Sequence, residues 1–310
     1  MPTPDMSLWT GRVDAADGPD AVRWHQRVQP LTVGCHSGVA LVGFACDEGV
    51  RRNGGRVGAS EAPPVVRKAL ANLAWHHDRP VYDFGDVVCD GEEMQAAQDR
   101  LADAVAELIA AKHRPLVIGG GHETAWGTFQ GLKRAKPRMR VGVINIDAHF
   151  DLRGDAVPNS GTPFAQIARW CQEHAEPFRY FVLGVSQQSN TKALFDKADA
   201  LGVVYQPDFC LAPWELDQVH QLVEAFARQC DVIHLSIDLD VLPASVMPAV
   251  SAPAAGGVAL DAVERLMNRT LALGKVAAVD VVEFNPRFDP DGRGAKVAAR
   301  LAWHAARNWV

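Results

Sequence analysis

The chain has 310 residues, of which 48% are hydrophobic and 22% charged, and it carries a net charge of −6. That is the balance of a globular protein with a large core, and the acidic excess argues against general affinity for nucleic acid or an anionic membrane. No run approaches the roughly 18 apolar residues of a membrane span. The first residues lack the basic and apolar regions of a secretory signal. The six cysteines form no Cys-x-x-Cys pair and read as reduced thiols; the expected location is the cytoplasm.

Residues 1–37 read as an irregular arm packed on the body of one domain spanning 1–310. A strand over Val39–Ala45 follows, and then a glycine-rich basic stretch with Arg51, Arg52, Asn53 and Arg56. Thereafter apolar runs alternate with amphipathic ones. Helix is expected over Ala62–Ala74, strand over Pro80–Phe84, helix over Gly91–Ala111 and strand over Pro115–Ile118. Next come helix over Glu123–Ala135, strand over Arg140–Ile146, helix over Pro163–His174 and strand over Arg179–Gly184. The remainder reads as helix Thr191–Leu201, strand Val203–Gln206, helix Pro213–Cys230, strand Val232–Ile237, helix Leu260–Leu273, strand Val276–Glu283 and helix Gly292–Asn308. The strands are too apolar to have a wet face, which predicts an α/β fold with a mostly parallel sheet covered by helices on both sides.

Chemistry gathers where these strands end. Asp147-Ala-His149-Phe-Asp151 and Ser236-Ile-Asp238-Leu-Asp240 each follow an apolar run. Alternation along an extended strand would point their polar side chains to one side. Four carboxylates buried together repel and lose hydration unless a cation holds them. Gly119-Gly-Gly-His122 opens a helix after a strand but lacks the Gly-Lys-Ser/Thr of a phosphate loop; at a strand end beside the two acidic clusters, His122 is expected to be a further ligand. Oxygen and imidazole donors without thiolate favour Mn2+ or a similar hard ion, and six ligands fit two ions.

These motifs resemble the three metal motifs of the ureohydrolase superfamily, which includes arginase and agmatinase, and the resemblance runs through Asp280-Val-Val-Glu283-Phe-Asn285-Pro. It implies a three-layer α/β/α sandwich with about eight strands, two Mn2+ per chain, hydrolysis of an amidine or guanidine C–N bond and a homo-oligomer. His122, Asp147, His149, Asp151, Asp238 and Asp240 would be the ligands.

Three departures from arginase narrow the choice: Leu-Arg153 after Asp151; Phe164 where arginases carry a proton-shuttling histidine, after Ser160-Gly-Thr162-Pro; and a stretch Gln187-Gln-Ser-Asn190 without aspartates. They resemble the branch that cleaves N-formimidoyl-L-glutamate, whose α-nitrogen lies in the formimino group and needs no acidic partner. Its two carboxylates call for Arg153, for Ser160 and Thr162, and for Asn53 and Arg56. Asp151 and Glu283 are the expected catalytic carboxylates. The alternatives are a hydrolase of a small guanidino acid or amine that releases urea, and a non-catalytic homologue. His234 reads as a core histidine or a support of the metal shell; nothing resembles a nucleic-acid motif.

Overall fold

The computed structural model describes residues 2–212 and 216–310. Nine parallel strands form one sheet: β1 (Gln29–Pro30), β2 (Val39–Ala45), β3 (Val81–Val88), β4 (Arg114–Ile118), β5 (Val141–Ile146), β6 (Tyr180–Val185), β7 (Val204–Pro207), β8 (Val232–Asp238) and β9 (Val276–Val282). Their spatial order is β1-β3-β2-β4-β9-β8-β5-β6-β7. The helices are α1 (Glu48–Arg52), α2 (Ala62–Ala71), α3 (Met94–Ala110), α4 (Thr124–Ala135), α5 (Pro163–Glu173), α6 (Lys192–Ala200), α7 (Leu216–Ala227), α8 (Leu260–Leu271) and α9 (Arg293–Asn308). The expected helix Pro213–Cys230 starts at residues outside the described ones.

Alternation along the strands divides the interior into layers. Leu41, Leu116, Ile118, Ile144, Ile146, Leu235 and Ile237 face a core shared with α2, α7, α8 and α9. Val42, Phe44 and Val117 face α3, and Val143, Tyr180 and Val182 face α4 and α5. Both faces are dry, which is why the strand sequences read as continuous apolar runs. The architecture is the expected α/β/α sandwich.

Two elements depart from the sequence reading. A ninth strand, β1, lies in the arm, where Gln29 and Pro30 pair with Tyr82 and Asp83. Two residues carry no periodic signal, and Pro30 is tolerated because the strand is at the sheet edge. The basic stretch contains α1, whose charges and glycines masked the single helical turn. The arm itself contributes Trp9, Trp24 and Val28 to the core, with Trp9 Nε1 donating to buried Asp83 at 2.8 Å. All six cysteines are free, and no helix among the described residues is long and apolar enough to cross a membrane.

Candidate metal centre and active site

Four neighbouring strands at the middle of the sheet, β4-β9-β8-β5, deliver His122, Glu283, Asp238 with Asp240, and Asp147 through Asp151 to one end. Ligands bind at this carboxyl edge in parallel α/β sheets. The mode of delivery differs from strand alternation. β5 stops at Ile146 and β8 at Asp238, so most ligands stand on loops. Both loops open with the same device: Asp147 Oδ1 accepts from His149 N at 2.6 Å and Asp238 Oδ1 accepts from Asp240 N at 2.8 Å. Each is an Asx turn that folds the next ligand back beside the first.

The backbone is strained where the chemistry needs it. Asp151 has φ +47° and Glu283 φ +72°, left-handed values that cost a non-glycine residue free energy unless the surroundings enforce them. Glu283 is enforced by its N–H donating to Gly120 O at 2.8 Å and by its Oε1 accepting from His122 N at 2.8 Å. Gly120 must be glycine because a Cβ there would lie 1.5 Å from the Cys46 carbonyl oxygen.

Two ligand groups result: His122, Asp147, Asp151 and Asp238, and Asp147, His149 and Asp240, sharing Asp147. Within each group the donor atoms lie within 4.8 Å of one another. His122 Nδ1 faces Asp147 Oδ2 at 3.2 Å and Asp151 Oδ2 and Asp238 Oδ2 at 2.9 Å, yet makes no hydrogen bond. A ring nitrogen carries at most one proton, so three anionic oxygens exceed what one N–H can serve well, and the group is a candidate coordination shell. Its Nε2 pairs with Ser236 Oγ at 3.0 Å; the tautomer that donates there would leave Nδ1 a lone pair to offer an ion among the carboxylates. His149 Nδ1 lies 3.0 Å from Asp240 Oδ2.

The electrostatics favour a cation at this cluster. Burial drives the Asp238 pKa well above its usual value, with Asp240 and Asp147 adding to the effect. Burial, followed by Asp147, raises that of Asp151. Burial works to lower the His122 pKa, but its three aspartates outweigh this and hold the ring well above its ordinary value. Burial, Glu123 and Asp240 push Glu283 up to about 8. Burial also raises the Asp240 pKa; at Asp147 burial acts the same way, but the His122 and His149 rings outweigh it and hold its pKa low. Divalent ions would displace the protons that the raised groups hold. The donor set, with its shared carboxylate, fits two such ions.

The cavity over this cluster measures about 90 Å³ and is lined by Asn53, His149, Asp151, Arg153, Ser160, Asp238, Asp240 and Glu283, together with Ser189, Asn190, Leu194, Ser251 and Ala252. A larger cavity of about 550 Å³ around Trp75, His77 and Tyr82 lies at the amino end of β3, away from the ligand cluster. Asn53 Nδ2 donates to Ser160 Oγ at 3.1 Å. Gly161 makes room for Arg153, since a Cβ at Gly161 would sit 2.7 Å from Arg153 Cδ and 3.3 Å from Asn53 Nδ2.

Two expected substrate contacts are used elsewhere. Arg56 donates to Pro248 O at 3.0 Å and to Val250 O, and stacks 4.0 Å over the Phe288 ring. Thr162 keeps its hydroxyl inside its own turn, against Asn159 O at 2.9 Å. Neither lines the cavity, because local carbonyls and the aromatic ring capture these groups. His234 is a core histidine whose Nε2 lies 2.6 Å from Asp280 Oδ2, while its buried Nδ1 has no hydrogen-bond partner. The sequence reading missed Ser251 and Ala252, which stand in no motif, and assigned no role to Ser189 and Asn190. Asn190 braces the ligand loop by accepting from Phe150 N and donating to Ala148 O.

The sequence profile of the Arginase family matches residues 37–307. The chain belongs to the arginase family. A Chromobacterium violaceum relative named formimidoylglutamase is 55% identical over 304 residues, covering 98% of each chain. Among solved structures, a Bacillus subtilis formimidoylglutamase superposes with a TM-score of 0.84 at 22% identity, covering 94% of this chain and 93% of the other. A Trypanosoma cruzi formiminoglutamase solved with Mn2+ gives 0.75 at 24% identity, covering 99% and 98%. Those two likenesses place this arginase-family chain on the same fold.

Proposed function

We propose that this arginase-family hydrolase cleaves N-formimidoyl-L-glutamate to L-glutamate and formamide with two Mn2+ per chain. The observation that carries the reading is the cavity itself: it combines the carboxylates Asp151 and Glu283 with the cation Arg153 and the polar pair Asn53 and Ser160. A substrate with a cationic formimino group and two carboxylates matches that mixture. The name borne by the relative at 55% identity supports it. Arg153 has no ion-pair partner among the described residues, so its fork is available for a carboxylate.

His122, Asp147, Asp151 and Asp238 would hold one ion, and Asp147, His149 and Asp240 the other. Bound there, the ions supply Lewis acidity that brings a water molecule's pKa close to neutrality. The chain's own residues do the rest. Glu283, fixed by two backbone contacts, takes the positive formimino group and keeps its carbon electrophilic. Asp151 accepts the water's proton as its oxygen bonds to that carbon. The C–N bond to the glutamate nitrogen then breaks, with its electron pair and a proton going to that nitrogen. Phe164 lies fully buried and offers no proton, which leaves Asp151 to return the one it took. The reading carries with it a homo-oligomeric cytoplasmic enzyme.

A guanidino substrate is the competing reading. An amine such as agmatine would bring like charge to Arg153, whereas a guanidino acid would not. The test is kcat/KM for N-formimidoyl-L-glutamate beside arginine, agmatine and 4-guanidinobutyrate. A preference for any guanidino compound would overturn the proposal.

A further inference from the structure

A second cavity, about 430 Å³, is lined by Arg153 and Gly154 together with residues of α5 and α6. Three cations line it: Arg153, Arg169 and Lys197. None of them is in an ion pair among the described residues. The acid in its lining, Glu176, is taken by Lys133, whose Nζ lies 2.7 and 2.8 Å from the two carboxylate oxygens. Lys197 Nζ donates to Leu152 O at 2.6 Å. Burial, followed by the charge of Arg169, lowers its pKa, with Asp155 only partly offsetting this. Ala168, Phe178 and Leu201 complete an apolar wall.

Three like charges gathered at one concavity, with Glu176 held by Lys133 and Asp155 only a partial offset, repel one another. An anion in the cavity relieves that repulsion. The apolar wall selects an anion with a hydrocarbon segment over a bare inorganic one. We propose that this cavity binds a short-chain dicarboxylate, separately from the metal centre. Arg169 lines this cavity and not the one over the metal cluster, so it reports on this site alone, whatever reaction the metal centre performs.

The test is calorimetric titration of the Mn2+-loaded full chain with glutarate, with inorganic phosphate as a second probe. Wild-type protein is expected to show a binding component that Arg169→Glu weakens at least tenfold, with Mn2+ content unchanged and a melting temperature no lower. Should Arg169→Glu fail to fold, Arg169→Gln is expected to show a smaller loss of the same component. Identical isotherms for wild type and variant, or no glutarate binding by wild type, would overturn the proposal. Phosphate binding as tightly as glutarate would overturn the dicarboxylate assignment.

Discussion

The Phe164 ring meets the His122 imidazole edge-on, with centroids 5.2 Å apart at 86°, and stacks on Tyr180 at 4.3 Å and 23°. Phenylalanine at this position is therefore an apolar wall of the candidate metal centre, packed against the His122 ring. Phe164→Ala is expected to cost about 3–5 kcal/mol of stability, the usual range for emptying a buried aromatic site. Chemical denaturation of metal-loaded protein checks this; a cost below about 1 kcal/mol would mean that the ring carries no packing role.

Through Asn145, Tyr180 also reaches Asp147, the carboxylate common to both candidate ligand groups. Asn145 Nδ2 donates to Asp147 Oδ2 at 2.8 Å and to the Tyr180 hydroxyl at 3.0 Å, and that hydroxyl donates to Phe150 O at 3.0 Å. The phenol thus sets the amide orientation that faces N–H toward Asp147. Partners behind a ligand typically contribute about 10–100-fold in metal affinity. Tyr180→Phe is expected to weaken Mn2+ binding by about tenfold or more, read by electron paramagnetic resonance of free Mn2+. Unchanged affinity would reduce the chain of contacts to packing.

Gly161 and Arg153 predict a split in kinetics. A methyl group at Gly161 would collide with the Arg153 side chain. Gly161→Ala should raise KM for a dicarboxylate substrate while leaving kcat within a few-fold, and Arg153→Ala should raise KM further. If both variants kept the wild-type KM, Arg153 would have no substrate role.

The stability of chelated protein should depend on pH in a definite direction. Burial first, then neighbouring acids, raises the Glu283 pKa to about 8, and burial first raises that of Glu123 to about 7. Both exceed the ordinary carboxylate value, so the unfolded chain releases these protons more readily. Their contribution is full below about pH 4.5 and is lost as pH climbs through 7 to 8. Metal-free protein should thus melt lower at pH 8 than at pH 6.5, and Glu283→Gln should flatten that slope. Bound Mn2+ should stabilise the fold most at the higher pH. A metal-free melting temperature that rises between pH 6.5 and 8 would contradict this electrostatic account.

Much of this was legible from residue order because parallel strands buried on both faces leave unbroken apolar runs, and eight of the nine strands were found that way. The candidate ligands were legible because their chemistry is compressed into short spacings such as Asp147-x-His149-x-Asp151. Their delivery was not: Asx turns and a positive φ at Asp151, rather than strand alternation, bring them together. Arg56 and Thr162 show the limit. Residue type announces a cation or a hydroxyl, but Phe288, the carbonyls of Pro248 and Val250, and the Asn159 turn decide where each group points. Ser251 approaches the cavity through tertiary packing alone, with no local signal.

The most direct measurement is the product balance when Mn2+-loaded protein turns over N-formimidoyl-L-glutamate, followed by proton NMR with a parallel ammonia assay. Formamide and L-glutamate in equal amounts, without ammonia, are predicted, and Glu283→Gln should abolish them with both metals retained. Ammonia in place of formamide, no turnover at all, or wild-type turnover by Glu283→Gln would contradict the account.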